Sequence, residues 1–145
     1  MRKRTKGREE ALKILYQAEI TRRPVTTASD NYWELKEKYD STVRNFSNRI
    51  VVGVEEFCAT IDEMISKYAT NWQLKRMAVI DRNILRMGVF ELMYANDIPP
   101  KVTINEAVEL AKKYGDTESS KFVNGILDKI HKTELLTKKE VKADE

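Results

Sequence analysis

The stretch Asp97-Ile-Pro-Pro-Lys-Val-Thr-Ile-Asn-Glu-Ala-Val-Glu-Leu-Ala-Lys-Lys-Tyr-Gly115, continued by Ser120-Lys-Phe-Val-Asn-Gly-Ile-Leu-Asp-Lys-Ile130, decides the fold. Both parts repeat apolar residues at spacings of three and four, the period of an amphipathic helix. Pro99 and Pro100 stop whatever helix precedes them. Thr103-Ile-Asn-Glu106 matches a capping box, in which the hydroxyl takes a backbone N–H and the glutamate reaches back to the cap. The spacing predicts a sixth helix ending at Gly115, a polar turn to Ser119, and a seventh helix from about Thr117 to Lys132. Lys121 and Phe122, a cation beside an aromatic, open that last helix.

Upstream, Ile84, Leu85, Met87, Val89, Phe90, Leu92, Met93 and Tyr94 leave little polar surface on a helix from about Ile80 to Ala95, which places it centrally. Its polar sliver is Asp81, Arg82, Asn83 and Arg86. Asn71-Trp72 is expected to start a short fourth helix. Val43, Phe46, Ile50, Val54, Phe57, Ile61, Ile65 and Tyr68 recur at three and four, predicting one long third helix from about Ser41 to Ala69. A short second helix is expected over about Asp30 to Tyr39, after a polar loop from Val25 to Ser29. The first runs from about Thr5 to Thr21 and is ended by Arg22-Arg23-Pro24. No strand alternation persists anywhere. The fold class is all-α, with about seven helices in two small antiparallel bundles.

With 145 residues the chain can bury a real core, and 34% charged against 41% apolar residues suits a folded helical protein. Residues 1–23 carry eight Lys and Arg against three Glu, a net of +5, and the remainder a net of −2. The positive field is therefore N-terminal and points to an anionic partner. No apolar run approaches the ~20 residues of a membrane span, and no h-region follows the basic start. The expected location is the cytoplasm, with no membrane partner.

Catalysis is mostly excluded. Cys58 is the only cysteine and His131 the only histidine, so no internal disulfide, zinc-ligand set or nucleophile–base pair has a local signature. No glycine-rich phosphate loop occurs. The chain reads as a non-enzyme with no cofactor and no metal. RNA binding would need cations for phosphates and aromatic faces for unpaired bases. The cations are Arg2, Lys3, Arg4, Lys6 and Arg8, with Lys13 as a further candidate; the aromatics are Tyr16 and Phe122, with Lys121 beside the latter. Singly, each is a weak signal: a basic terminus is more often a solvated tail, and Tyr16 and Phe122 each sit on an apolar stripe.

The two C-terminal segments quoted above, the basic residues followed by Ala11-Leu-Lys-Ile-Leu-Tyr16, and Ile80-Asp-Arg-Asn-Ile-Leu-Arg-Met-Gly-Val-Phe-Glu-Leu92 resemble the NusB family of transcription antitermination factors. The resemblance covers Arg4 through Ile130. It implies a single helical domain over 1–134, comprising a basic leader 1–8 and subdomains of about 5–69 and 70–134, with a charged tail over 135–145. It implies binding of boxA-type single-stranded RNA together with the ribosomal protein NusE, alongside other Nus factors and RNA polymerase, to keep ribosomal RNA operons transcribed. Carried onto this chain, the family's RNA contacts fall on Arg4, Lys6, Arg8, Tyr16, Glu118, Lys121 and Phe122. The chain departs from the family in its mixed Lys/Arg leader, in Gly7 within it, and in Glu118 where Asp or Asn is frequent. The expected partner-binding set is Lys75, Arg76, Asp81, Arg82 and Arg86. Two rivals stand beside this reading: the RNA-binding module of a ribosomal RNA cytosine methyltransferase, disfavoured because the chain closes soon after the seventh helix, and a structural homodimer or adaptor without RNA.

Overall fold

A computed structural model of the chain describes residues 2–135. These form seven α-helices and no strand: α1 (Lys3–Thr21), α2 (Val25–Leu35), α3 (Ser41–Glu56), α4 (Cys58–Tyr68), α5 (Val79–Tyr94), α6 (Pro100–Tyr114) and α7 (Ser119–Ile130). A 3-10 turn at Leu74–Arg76 precedes α5, and a π turn at His131–Leu135 follows α7. The chain divides into two compact units, Met1–Cys58 and Ala59–Glu145. Of the expected charged tail, 136–145 lie outside the described residues. Among the described residues, no helix is long and apolar enough to cross a membrane.

In the first unit α1 packs along α3, and α2 touches both. Ala11, Leu12, Ile14 and Leu15 of α1 meet a core that includes Trp33 of α2 and Phe46, Ile50 and Val54 of α3, all buried. The approach of α1 to α3 explains Gly7. A Cβ there would lie 3.0 Å from Phe46 Cδ2 and 3.2 Å from the Val43 carbonyl oxygen. Gly7 is thus a packing residue inside α1, which begins at Lys3. The residues expected as a leader are helical from that point. α1 closes with Arg22 in the left-handed region (φ 55°); its N–H bonds the Glu19 carbonyl, and that of Arg23 the Ala18 carbonyl.

Two boundaries in this unit differ from expectation. α2 begins at Val25, directly behind Pro24, whose fixed φ suits entry to a helix, so the expected Val25–Ser29 loop is the first part of α2. The expected helix from Ser41 to Ala69 is two helices, α3 and α4. They part at Phe57 (φ −104°, ψ 18°), and the boundary between the units falls beside it rather than near residue 69. A one-residue break leaves the three-and-four spacing almost unaltered, so periodicity does not register it. Asp40 caps α3, accepting from the N–H groups of Thr42 (2.7 Å) and Val43 (3.4 Å). The Thr42 N–H, then Lys3, holds the Asp40 carboxyl below the ordinary carboxylate range.

In the second unit α5 packs on both α6 and α7, which also pack on each other. Ile84, Leu85, Met87 and Val89 of α5 are buried with Ala107 and Ala111 of α6 and Val123, Leu127 and Ile130 of α7. Gly88 lets α5 and α7 meet: a Cβ there would lie 2.7 Å from Leu127 Cδ1. The helix expected at Asn71-Trp72 is only the Leu74–Arg76 turn. α6 starts at Pro100, behind Pro99, because proline is pre-set for a first turn. Thr103 is therefore inside the helix and caps nothing. Its buried hydroxyl donates instead to Glu91 Oε1 at 2.9 Å, linking α6 to α5. Glu134 ties the π turn to the end of α4, accepting from the Tyr68 hydroxyl (2.5 Å) and Lys67 (3.1 Å) and raising the pKa of both donors.

Candidate nucleic-acid interface

The expected RNA-binding residues fall into two groups, one in each unit. The first lies on α1 and its start. Arg2, Lys3 and Arg4 are exposed, and Tyr16 is 38% exposed, enough for a ring face to meet solvent. Lys3 pairs with Asp40 at 3.2 Å, both ends exposed. Such a pair contributes little and can exchange for a phosphate. The other two cations are committed to the fold. Lys6 pairs at 2.9 Å with Glu10, a carboxylate buried to 1% exposure that also takes Lys36 at 3.3 Å. Stripping a cation from a buried acid is costly. Arg8 is 2% exposed, its guanidinium 5.1 Å from the centre of the Phe46 ring, where Arg4 also sits at 4.8 Å. Arg8 is therefore corrected from phosphate ligand to structural residue: its stem and charge are spent on holding α1 to α3.

The second group is built by the turn between α6 and α7. Asp116 Oδ1 accepts from the Glu118 N–H (2.9 Å) and the Ser119 hydroxyl (3.3 Å), while Ser119 Oγ accepts from the Asp116 N–H (3.0 Å). Gly115 is required there, since a Cβ would collide with the Ser119 side chain and come within 2.8 Å of the Ala111 carbonyl oxygen. The turn presents Glu118 and Lys121 exposed and Phe122 half-buried. These three line an open hollow of about 540 Å³, together with Trp72, Arg76 and Asp81. Trp72 and Phe122 meet edge to face, with ring centres 6.5 Å apart at 77°.

The hollow thus joins residues expected to act separately, some on RNA and some on a protein partner. Lys75 and Arg76 are exposed, as a docking role requires. Arg82 and Arg86 are corrected to structural roles. Arg82 Nη1 donates to the Leu74 and Met77 carbonyls, 3.0 Å each, and holds the 3-10 turn. Arg86 makes a two-pronged bond to Asp62 of α4, at 2.8 and 3.0 Å. Asp81 lies within the helix end and is 9% exposed. Trp72 was missed as a site residue, although it is 56% exposed. The signal was present: a tryptophan in the polar run Thr70-Asn71-Trp72-Gln73, with the cations Lys75 and Arg76, not apolar residues, three and four positions further on. Among the described residues, no group of three His, Cys, Asp or Glu is placed to hold a metal.

The fold and these surfaces define an all-α protein with a cationic first helix and an aromatic hollow at the start of its last. The NusB family model matches residues 5–132. The transcription antitermination protein NusB of Myxococcus xanthus is 47% identical over 130 residues, covering 88% of this chain and 93% of its own length. Among solved structures, NusB of T. maritima superposes with a TM-score of 0.83 at 41% identity, covering 90% of this chain and 91% of that one. NusB in a crystal structure of the antitermination factors NusB and NusE in complex with dsRNA gives a TM-score of 0.82 at 29% identity, covering 91% and 98%. The chain belongs to the NusB family of transcription antitermination proteins.

Proposed function

We propose that this protein binds boxA-type single-stranded RNA together with the ribosomal protein NusE. In this way, with other Nus factors and RNA polymerase in the cytoplasm, it would sustain transcription of ribosomal RNA operons. The observation that carries the reading is the pairing of exposed Lys121 with half-buried Phe122, just after a turn closed by hydrogen bonds among Asp116, Glu118 and Ser119. A cation beside an aromatic face is what an unpaired nucleotide requires. The cationic surface of Arg2, Lys3 and Arg4, with Tyr16 on the same helix, supplies a second contact. The relative crystallised with NusE and dsRNA supports RNA and NusE as partners. Lys75 and Arg76 are the residues offered to the ribosomal protein. Two modest RNA contacts and one protein contact give an avidity that none gives alone.

The test is fluorescence anisotropy with a boxA-type oligonucleotide at two salt concentrations, with and without NusE. Replacing Arg2, Lys3 and Arg4 by Ala should flatten the salt dependence of log K by about 2, from ~0.7 per phosphate contact on single strands. Phe122→Ala should weaken binding by about 1–3 kcal/mol. RNA affinity and salt slope unchanged in both variants would overturn the reading.

A further inference from the structure

We propose that the hollow at the start of α5 and α7 receives one unpaired base bearing an exocyclic amino group. The base would stack on the Trp72–Phe122 pair, and Asp81 would accept a hydrogen bond from its amine. The inference rests on the RNA-binding reading above and extends it to base selectivity. Three observations carry it. The hollow, at about 540 Å³, lies in the ~300–1,000 Å³ range of small-ligand sites. Trp72, 56% exposed, has its edge contact to Phe122 and leaves much of its ring to solvent, an arrangement suited to stacking rather than to core packing. Asp81 is 9% exposed, and its Oδ1 receives no hydrogen bond from any described residue. A buried acceptor without a donor is destabilising, and Asp81 is among the residues that line the same hollow as the aromatic pair.

The charges of the rim favour a base edge over a phosphate. Arg76 and Lys121 are set against Asp81, Asp116 and Glu118. The phosphate is better placed outside, at Lys121, with the base edge directed inward. A carboxylate only accepts hydrogen bonds. Adenine, cytosine and guanine each offer it an amino group. Uracil offers a single N–H flanked by two carbonyl oxygens, which a carboxylate repels.

The experiment is a position scan. A boxA-type oligonucleotide is altered one nucleotide at a time, with 2-pyrimidinone riboside for cytidine, purine riboside for adenosine and inosine for guanosine, so that a single amine is removed at each step. Binding of the full chain is read by anisotropy and by quenching of tryptophan fluorescence; Trp33 is buried and Trp72 exposed. Wild-type protein should lose about 5- to 150-fold at one position. Asp81→Asn keeps a carbonyl acceptor but adds an N–H donor beside it, so it should narrow that discrimination while leaving the other positions and the salt slope unchanged. Trp72→Leu should weaken every base at that position alike and remove the quenching. Thermal melting of both variants checks that they fold.

An unchanged profile in Asp81→Asn, with wild-type binding intact, would overturn the inference alone. A wild-type protein that binds no RNA would overturn it together with the function on which it rests. Asp81→Asn that weakens NusE binding while the base profile stays as in wild type would overturn it too, and would assign the hollow to the protein partner.

Discussion

Gly88 and Leu127 should be energetically coupled, and the size of the coupling follows from the packing of α5 on α7. A methyl group at position 88 would stand 2.7 Å from Leu127 Cδ1 and 3.0 Å from Cδ2, and Leu127 is fully buried. In Gly88→Ala, helix propensity favours the variant by about 1 kcal/mol. Overpacking opposes it by about 1–3 kcal/mol, so the net effect is a loss of up to roughly 2 kcal/mol. Leu127→Ala should cost about 2–5 kcal/mol through the cavity it leaves. In the double variant the new methyl group enters part of that cavity and meets nothing. The double variant should then be more stable than the sum of the single effects predicts, by about 1–2 kcal/mol, inside the range for residues in contact. Urea unfolding of the four proteins measures this. Gly125, where an added methyl group would meet nothing within 4 Å, is the control. Its change to Ala should stabilise by about 0.4–1 kcal/mol. Single effects that add to within ~0.5 kcal/mol, or a Gly88→Ala as stabilised as the control, would refute the close approach of the two helices.

Other perturbations separate structural from exposed residues. Arg8→Ala should destabilise by about 1–3 kcal/mol, through lost packing of its stem and lost contact with Phe46, while Arg2→Ala stays within about 0.5 kcal/mol; thermal melts compare them. Gly115→Ala should disturb the Asp116–Ser119 hydrogen bonds, lowering RNA affinity beyond what its melting temperature accounts for, as anisotropy at a temperature well below the melt would reveal. Asp40 has a folded pKa below its ordinary 3.8. Its contribution is present above that value and is lost as pH falls through the lower, folded one. Amide exchange at the start of α3 should accelerate over that interval in wild type, and Asp40→Asn, which keeps a cap, should show no such pH response.

Much of the architecture was legible because helix period is local. α5 is nearly all apolar, and that alone made it central; the stripe from Val123 to Ile130 and the end of α6 at Gly115 were equally plain. The basic N-terminus and the Lys121–Phe122 start of α7 could be singled out from residue type and spacing. Such signals depend on residues within a turn or two of one another, and the chain displays them before it folds.

Only the tertiary structure decided which of those residues are available. Arg8 is indistinguishable from Arg4 in the sequence, and both sit over the Phe46 ring of α3, yet Arg8, one turn further into the helix, is buried and Arg4, at its start, is exposed. Thr103 has the spacing of a helix cap, yet Pro100 starts the helix earlier and Glu91 of α5 takes its hydroxyl. Arg82 and Arg86 look like a free polar sliver until the Leu74–Arg76 turn and Asp62 receive them. Trp72, Asp81 and Phe122 lie on three separate stretches of chain, and the packing of α5 against α7 makes one hollow of them. The physical reason is the same in each case. Burial and pairing are set by neighbours distant in sequence, and those neighbours are chosen by how helices pack, which periodicity within a single helix does not encode.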